Sequence, residues 1–182
     1  MLYWLTLLSD GGDFYNLFRY ITFRAGGAFI TALVFGFIFG PPLINVLRRT
    51  QGKGQPIRSD GPEGHFVKAG TPTMGGLLIV GALTFSTLLW ARLDNPFVWL
   101  VLFVTLSFAA IGFADDYAKV SKQNTAGVSG KVRLLLGLLI AAIAGYWSAQ
   151  YHPAGLENQL AVPIFKDVLI NLGFFFIPFS VI

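Results

Sequence analysis

Apolar residues in this chain are gathered into long blocks rather than spaced as periodic stripes, and the ionisable residues fall between the blocks. Uncharged stretches run from Ala25 to Leu47, Ala69 to Ala91, Asn95 to Ala114 and Leu134 to Leu156. Each reaches the roughly 20 residues a helix needs to cross a bilayer. The pattern predicts an all-α polytopic membrane protein with four full transmembrane helices. A further apolar block opens after Asp167 and runs to Ile182. At about 15 residues and 1.5 Å per residue it covers some 22 Å of a hydrocarbon core about 30 Å thick, so it reads as the start of a fifth span. Extended structure is expected only at Leu160 to Phe165, where Val162 and Ile164 flank Pro163 as an edge strand.

Composition sharpens this reading. Hydrophobic residues make up 54% of the chain and charged residues 12%, against roughly a quarter charged in a soluble domain. The absence of cysteine excludes disulfides and thiolate metal sites, and His65 and His152 lack ligand spacing. The net charge of +4 is explained by topology before nucleic acid is invoked, and no nucleic-acid partner is expected. Arg48, Arg49, Lys53, Arg58 and Lys68 lie between the first two blocks, and Lys119, Lys122, Lys131 and Arg133 between the third and fourth. The positive-inside rule turns both groups toward the cytoplasm and leaves an outside amino terminus. Trp90, Trp99, Trp147 and Tyr151 then fall at outer ends, where amphipathic rings favour the interface. Residues 1–182 read as a single transmembrane domain with cytoplasmic loops at about 48–72 and 115–133. Met1 to Ser9 has no basic n-region, which argues against a cleaved signal, and the first span is expected to be retained.

Two clusters carry candidate chemistry. Asp115 and Asp116 end the third block, and adjacent carboxylates at a low-dielectric boundary repel unless a cation joins them. Mg2+ is the usual resolution, since it takes carboxylates together with substrate phosphates. The alternative is that both acids mark the water interface and pair with Lys119 or Lys122. The second cluster is Lys68 to Gly76 at the start of the second block. There Thr71 or Thr73 can cap the helix, Pro72 suits its first turn, and free N–H groups beside Lys68 make an anion site. The alternative is a capped helix whose Gly75 and Gly76 permit close packing. Gly36 and Gly40 read as a packing notch. Both clusters fall on the cytoplasmic side, an arrangement suited to phosphoryl transfer from a soluble nucleotide donor to a lipid acceptor.

The strings Phe18 to Arg24, Asp60-Gly61-Pro62 with His65-Phe66, Lys68 to Gly76 and Gly112 to Tyr117 resemble, in order and spacing, the bacterial phospho-N-acetylmuramoyl-pentapeptide transferase family. This family is part of the polyprenyl-phosphate sugar-1-phosphate transferase superfamily. The resemblance implies Mg2+-dependent transfer of phospho-MurNAc-pentapeptide from UDP-MurNAc-pentapeptide to undecaprenyl phosphate. The products are lipid I and UMP, and the setting is peptidoglycan synthesis at the bacterial cytoplasmic (inner) membrane. By the same resemblance Asp115 and Asp116 are the catalytic acids, Asp115 as base or nucleophile and Asp116 as the acid of the pyrophosphate and metal region. Lys68, Thr71 and Thr73 are substrate-binding, and a homodimer is a candidate assembly. The family has ten spans and further acidic and His-rich loops, so the chain is expected to be a truncated N-terminal half that is inactive alone. Competing readings are a related transferase with another sugar donor and a non-catalytic membrane subunit. A transporter is disfavoured because the spans lack ionisable groups.

Overall fold

The structure, a computed structural model, describes residues 1–52, 71–123, 127–151, 158–162 and 165–181. Two short 3-10 helices, Leu2–Leu8 and Phe14–Arg19, precede α1 (Ile21–Gln51). α2 (Gly76–Trp90), α3 (Pro96–Lys122) and α4 (Gly130–Gln150) follow. An antiparallel hairpin of β1 (Gln159–Val162) and β2 (Phe165–Asn171) then leads into α5 (Phe176–Val181).

α1, α3 and α4 are long and apolar enough to cross a membrane. α2 is a shorter apolar helix of 15 residues, or about 22 Å. The sequence-based expectation of four full helices is therefore met by three long helices and one short one. Residues 71–74 have no helical structure, and Met74 takes φ 69°, a conformation that side chains tolerate only locally. Hydropathy counts that stretch as span because Thr, Pro and Gly are uncharged.

Elsewhere the helices run beyond their apolar blocks. Residues 48–51, 115–122 and 130–133 fall within the loops expected from charge, yet they are helical. Charge marks where a chain meets water, not where its hydrogen bonding ends. Arg48 and Arg49 occupy the last turn of α1, and Lys119 and Lys122 that of α3, where cations favour the negative end of the helix dipole.

The chain divides into two units, Met1–Asp94 with Ala109–Ser129, and Asn95–Phe108 with Gly130–Ile182. In the first, Phe18 is 6% exposed and stacks on Trp90 at 5.9 Å, while Phe23 meets both rings edge-on at 5.3 and 6.0 Å. The Trp90 indole N–H donates to Thr31 Oγ1 at 2.9 Å. Gly27 makes this possible, because a Cβ there would sit inside the indole ring. Gly40 meets Leu78 of α2, whereas Gly36, Gly75 and Gly76 have no neighbour where a Cβ would point. Of the expected glycine contacts, only that of Gly40 is made among the described residues.

In the second unit Phe103 meets Trp147 at 6.0 Å and Gly137 accommodates the Phe108 ring. Strand pairing sets Gln159 opposite Asn171 and Ala161 opposite Leu169, with an irregularity after Ala161. The hairpin corrects two expectations. The fold is mostly helical rather than all-α, and residues 168–171 belong to β2 rather than to a fifth span. Val168, Leu169 and Ile170 are as compatible with a strand as with a helix, and here pairing decides. Outward faces are strongly apolar, with Phe29 70% and Ile79 69% exposed, which befits side chains solvated by lipid.

Candidate active site

α3 places Asp115 and Asp116 on consecutive residues, about 100° apart around the helix. The two carboxylates consequently have different surroundings. Asp115 is 7% exposed. Its Oδ2 pairs with Lys119 Nζ, one turn on, at 2.7 Å, and its Oδ1 accepts the Val128 N–H at 2.8 Å. Gly127 brings the loop back to this carboxylate. It adopts φ 58°, and a Cβ at this residue would overlap Asp115 Oδ1 and crowd the Lys119 stem. Only glycine fits on both counts.

Asp116 is half-buried and turns the other way. Its Oδ2 accepts the Thr73 hydroxyl at 3.0 Å. Thr73 is fixed in turn by Gln51, the last residue of α1 and 7% exposed. The Gln51 amide donates to the Thr73 carbonyl at 3.0 Å and accepts the Thr73 N–H at 2.8 Å. One side chain thus ties the segment before α2 to the end of α1, while the Thr73 hydroxyl ties it to α3. Beside these groups is a cavity of about 300 Å³ lined by Met74, Gly76, Leu77, Gly112, Asp115 and Asp116, among others.

Of the sequence-based candidates, Thr73, Asp115 and Asp116 come together. Thr71 is exposed and makes no hydrogen bond among the described residues. Lys68 and His65 lie outside the described residues. The expected helix cap is not formed. α2 begins at Gly76 after Gly75, without a side-chain cap, because the Thr73 hydroxyl is directed to Asp116. Pro72 accordingly precedes the helix rather than opening it. The N–H groups of Leu77 and Leu78 turn back to the carbonyls of Met74 and Gly75, which leaves fewer donors for an anion.

Of the pairings with Lys119 or Lys122 that the interface reading expects, that of Asp115 with Lys119 is made. For Asp116 the divalent-cation reading has physical support, since Oδ1 accepts no hydrogen bond among the described residues and the acid lines the cavity. No group of three or more metal-ligating side chains occurs among those residues. A Mg2+ ion commonly takes one or two carboxylates and completes its shell with water and substrate phosphate, so Asp116 fits as one ligand. Gln51, Gly127 and Val128 were not singled out by sequence. Gln51 sat in a stretch read as loop, a backbone N–H has no sequence signature, and Gly127 carries no side chain on which chemistry could be read.

These features define a multi-pass membrane protein with an acidic site built at the ends of its helices. Residues 68–80, which include Thr73, match phospho-N-acetylmuramoyl-pentapeptide-transferase signature 1. The full chain is similar to curated proteins named phospho-N-acetylmuramoyl-pentapeptide-transferase. It is 77% identical to that of Ruegeria sp. (strain TM1040) over 181 residues, 100% of the chain and 50% of the relative. The figures are 78% for Ruegeria pomeroyi with the same coverage, and 68% for Dinoroseobacter shibae with 100% and 51%. The chain spans about half the length of the curated relatives it matches.

Proposed function

We propose that the chain provides one part of the active site of a phospho-N-acetylmuramoyl-pentapeptide transferase. The observation that carries this reading is the 3.0 Å hydrogen bond from Thr73, inside the family signature, to Asp116 of the aspartate pair. It joins two segments 43 residues apart at one cavity. In the proposed reaction an oxygen of undecaprenyl phosphate forms a bond to the phosphorus that carries the N-acetylmuramoyl-pentapeptide. The anhydride bond to the UMP phosphate breaks, and UMP leaves with that electron pair.

Asp116, oriented by Thr73, would hold Mg2+, which would supply positive charge to neutralise the pyrophosphate. Asp115 acts as base toward the lipid phosphate or as nucleophile in a two-step route, and Lys119 and the Val128 N–H fix its carboxylate. Lys68 and Thr71 bind substrate. On this reading the chain crosses the bacterial inner membrane four times from an outside amino terminus, with α2 as a short second crossing, and the site lies at the cytoplasmic face. Residues 1–182 constitute one transmembrane domain. Homodimerisation is part of the same proposal.

The test is a chimera in which this chain replaces the matching half of a relative's sequence. With UDP-MurNAc-pentapeptide, undecaprenyl phosphate and Mg2+, it is expected to release UMP and form lipid I, and Asp116→Asn is expected to lose activity by about 100-fold or more. Preference for UDP-GlcNAc as donor, or full activity of Asp116→Asn, would refute the assignment.

A further inference from the structure

The string Phe18 to Arg24 has no part in the acidic site. It builds a second polar centre where α1 begins and α2 ends. The Tyr3 ring has two guanidinium groups against it, Arg24 Cζ at 5.0 Å and Arg92 Cζ at 4.8 Å from the ring centroid. Arg92 is paired with Asp94 at 2.7 Å. Arg24 forms no direct ion pair among the described residues, and the Asp94 charge reaches it only at longer range. Its polar contact is a long one, 3.5 Å from Nη1 to the Trp90 carbonyl, and its Nε is buried without a partner. Arg24 also stands in the first turn of α1, the positive end of the helix dipole, where a cation is disfavoured and an anion favoured.

One turn below Arg24 an apolar groove of about 510 Å³ opens between α1 and α2, lined by Ala28, Ala32, Leu33, Gly36, Leu78 and Leu83 among others. From Ala28 to Gly36 it follows about 12 Å of helix, enough for much of an acyl chain. Two guanidinium groups share the single Asp94 carboxylate, which leaves one positive charge in excess; above an apolar slot of this length, that matches one ligand chemistry, a phosphate ester attached to a hydrocarbon chain.

We propose that Arg24, Arg92 and Tyr3 bind the phosphodiester headgroup of an anionic glycerophospholipid whose acyl chain lies in the α1–α2 groove. The site is independent of the proposed transfer reaction. On the orientation proposed above it also accounts for Arg24 and Arg92 being on the face where basic residues are otherwise sparse.

The chain is purified in detergent, exchanged against phosphatidylglycerol or phosphatidylcholine, and its bound lipid counted by native mass spectrometry. Phosphatidylglycerol is expected to be retained in preference, and Arg24→Gln and Arg92→Gln are each expected to reduce its retention about fivefold. Ala32→Trp, which fills the groove and leaves the charges, is expected to lower it as well. Circular dichroism confirms folding, and Arg92→Gln serves alone if Arg24→Gln does not fold. Equal retention of both lipids, or unchanged retention in a folded arginine variant, would overturn the proposal. So would displacement of the lipid by inorganic phosphate, which would assign the site to a free anion. A dimer broken by Ala32→Trp with lipid retention unchanged would assign the groove to a second copy and overturn it too.

Discussion

Replacing Gly127 with alanine perturbs the Asp115 carboxylate without altering any charged group. Two costs can be separated. A residue with a Cβ at φ 58° is disfavoured by about 1–2 kcal/mol. The added Cβ also overlaps Asp115 Oδ1, so the turn must withdraw and the Val128 N–H bond at 2.8 Å is lost. A hydrogen bond to a charged group contributes about 1.5–3 kcal/mol, so the total is about 2.5–5 kcal/mol. The two contributions are resolved by repeating Gly127→Ala in an Asp115→Ala background, where no carboxylate remains to be contacted and the Lys119 stem, released from its ion pair, can swing away from the new methyl. Only the backbone cost of about 1–2 kcal/mol should survive there, which gives a coupling energy of about 1.5–3 kcal/mol. The assay is equilibrium unfolding in mixed micelles with helicity as readout, performed on all four members of the cycle. A coupling below about 0.5 kcal/mol would show that Gly127 serves only its own backbone and does not hold Asp115.

Three further outcomes are expected. Gln51→Ala removes both bonds to the Thr73 backbone and should cost about 2–4 kcal/mol by leaving part-buried polar groups unpaired; a change within about 0.5 kcal/mol would mean that water replaces the side chain. Gly27→Ala should displace the Trp90 indole and break its bond to Thr31, costing about 1–3 kcal/mol by overpacking, with a red-shifted emission in a variant that keeps only Trp90. Asp94 is held below the ordinary carboxylate range, chiefly by its hydrogen bond from Arg92. Because its folded pKa is depressed, the stabilisation is full above the unfolded value of about 4 and fades as pH falls through the folded one. Asp94→Asn should therefore flatten the acid limb of the stability profile, and an unchanged limb would exclude this pair as its origin.

Much of the membrane architecture was legible because lipid imposes one severe rule: exposed side chains must be apolar and backbone groups must pair internally. That rule made α1, α3 and α4 visible as blocks. It says little about where a helix ends in water, so the extension of α3 through Asp115 to Lys122 was not visible. Nor does it distinguish a helix from an uncharged turn, which is how residues 71–74 were counted into a span. The 168–171 segment failed for a related reason, since a short run such as Val168 to Ile170 satisfies a strand and a helix equally until a partner is present. Within the site, the residue types that carry charge were legible and their supports were not. Asp115, Asp116 and Thr73 could be singled out from their chemistry, but Gln51 acts through backbone groups 22 residues away. Gly127 acts through the side chain it does not have.

The adjacency of the two acids first looked like a problem of repulsion to be solved by one shared cation. The helix resolves it differently, by rotation. At about 100° per residue, Asp115 turns toward its own helix's Lys119 and the returning loop, while Asp116 turns toward Thr73 and the cavity. Asp115 has its charge balanced and both oxygens held, so its geometry is fixed before any ligand arrives. Asp116 keeps an oxygen without a partner among the described residues at the cavity wall, which is what a ligand-facing carboxylate needs. The conservative change Asp→Asn then has different meanings at the two positions. At Asp115 it removes the counter-charge of a largely buried lysine, a perturbation of the fold itself. At Asp116 it leaves that pair intact and changes only the group presented to the cavity, so it is the substitution that separates chemistry from stability.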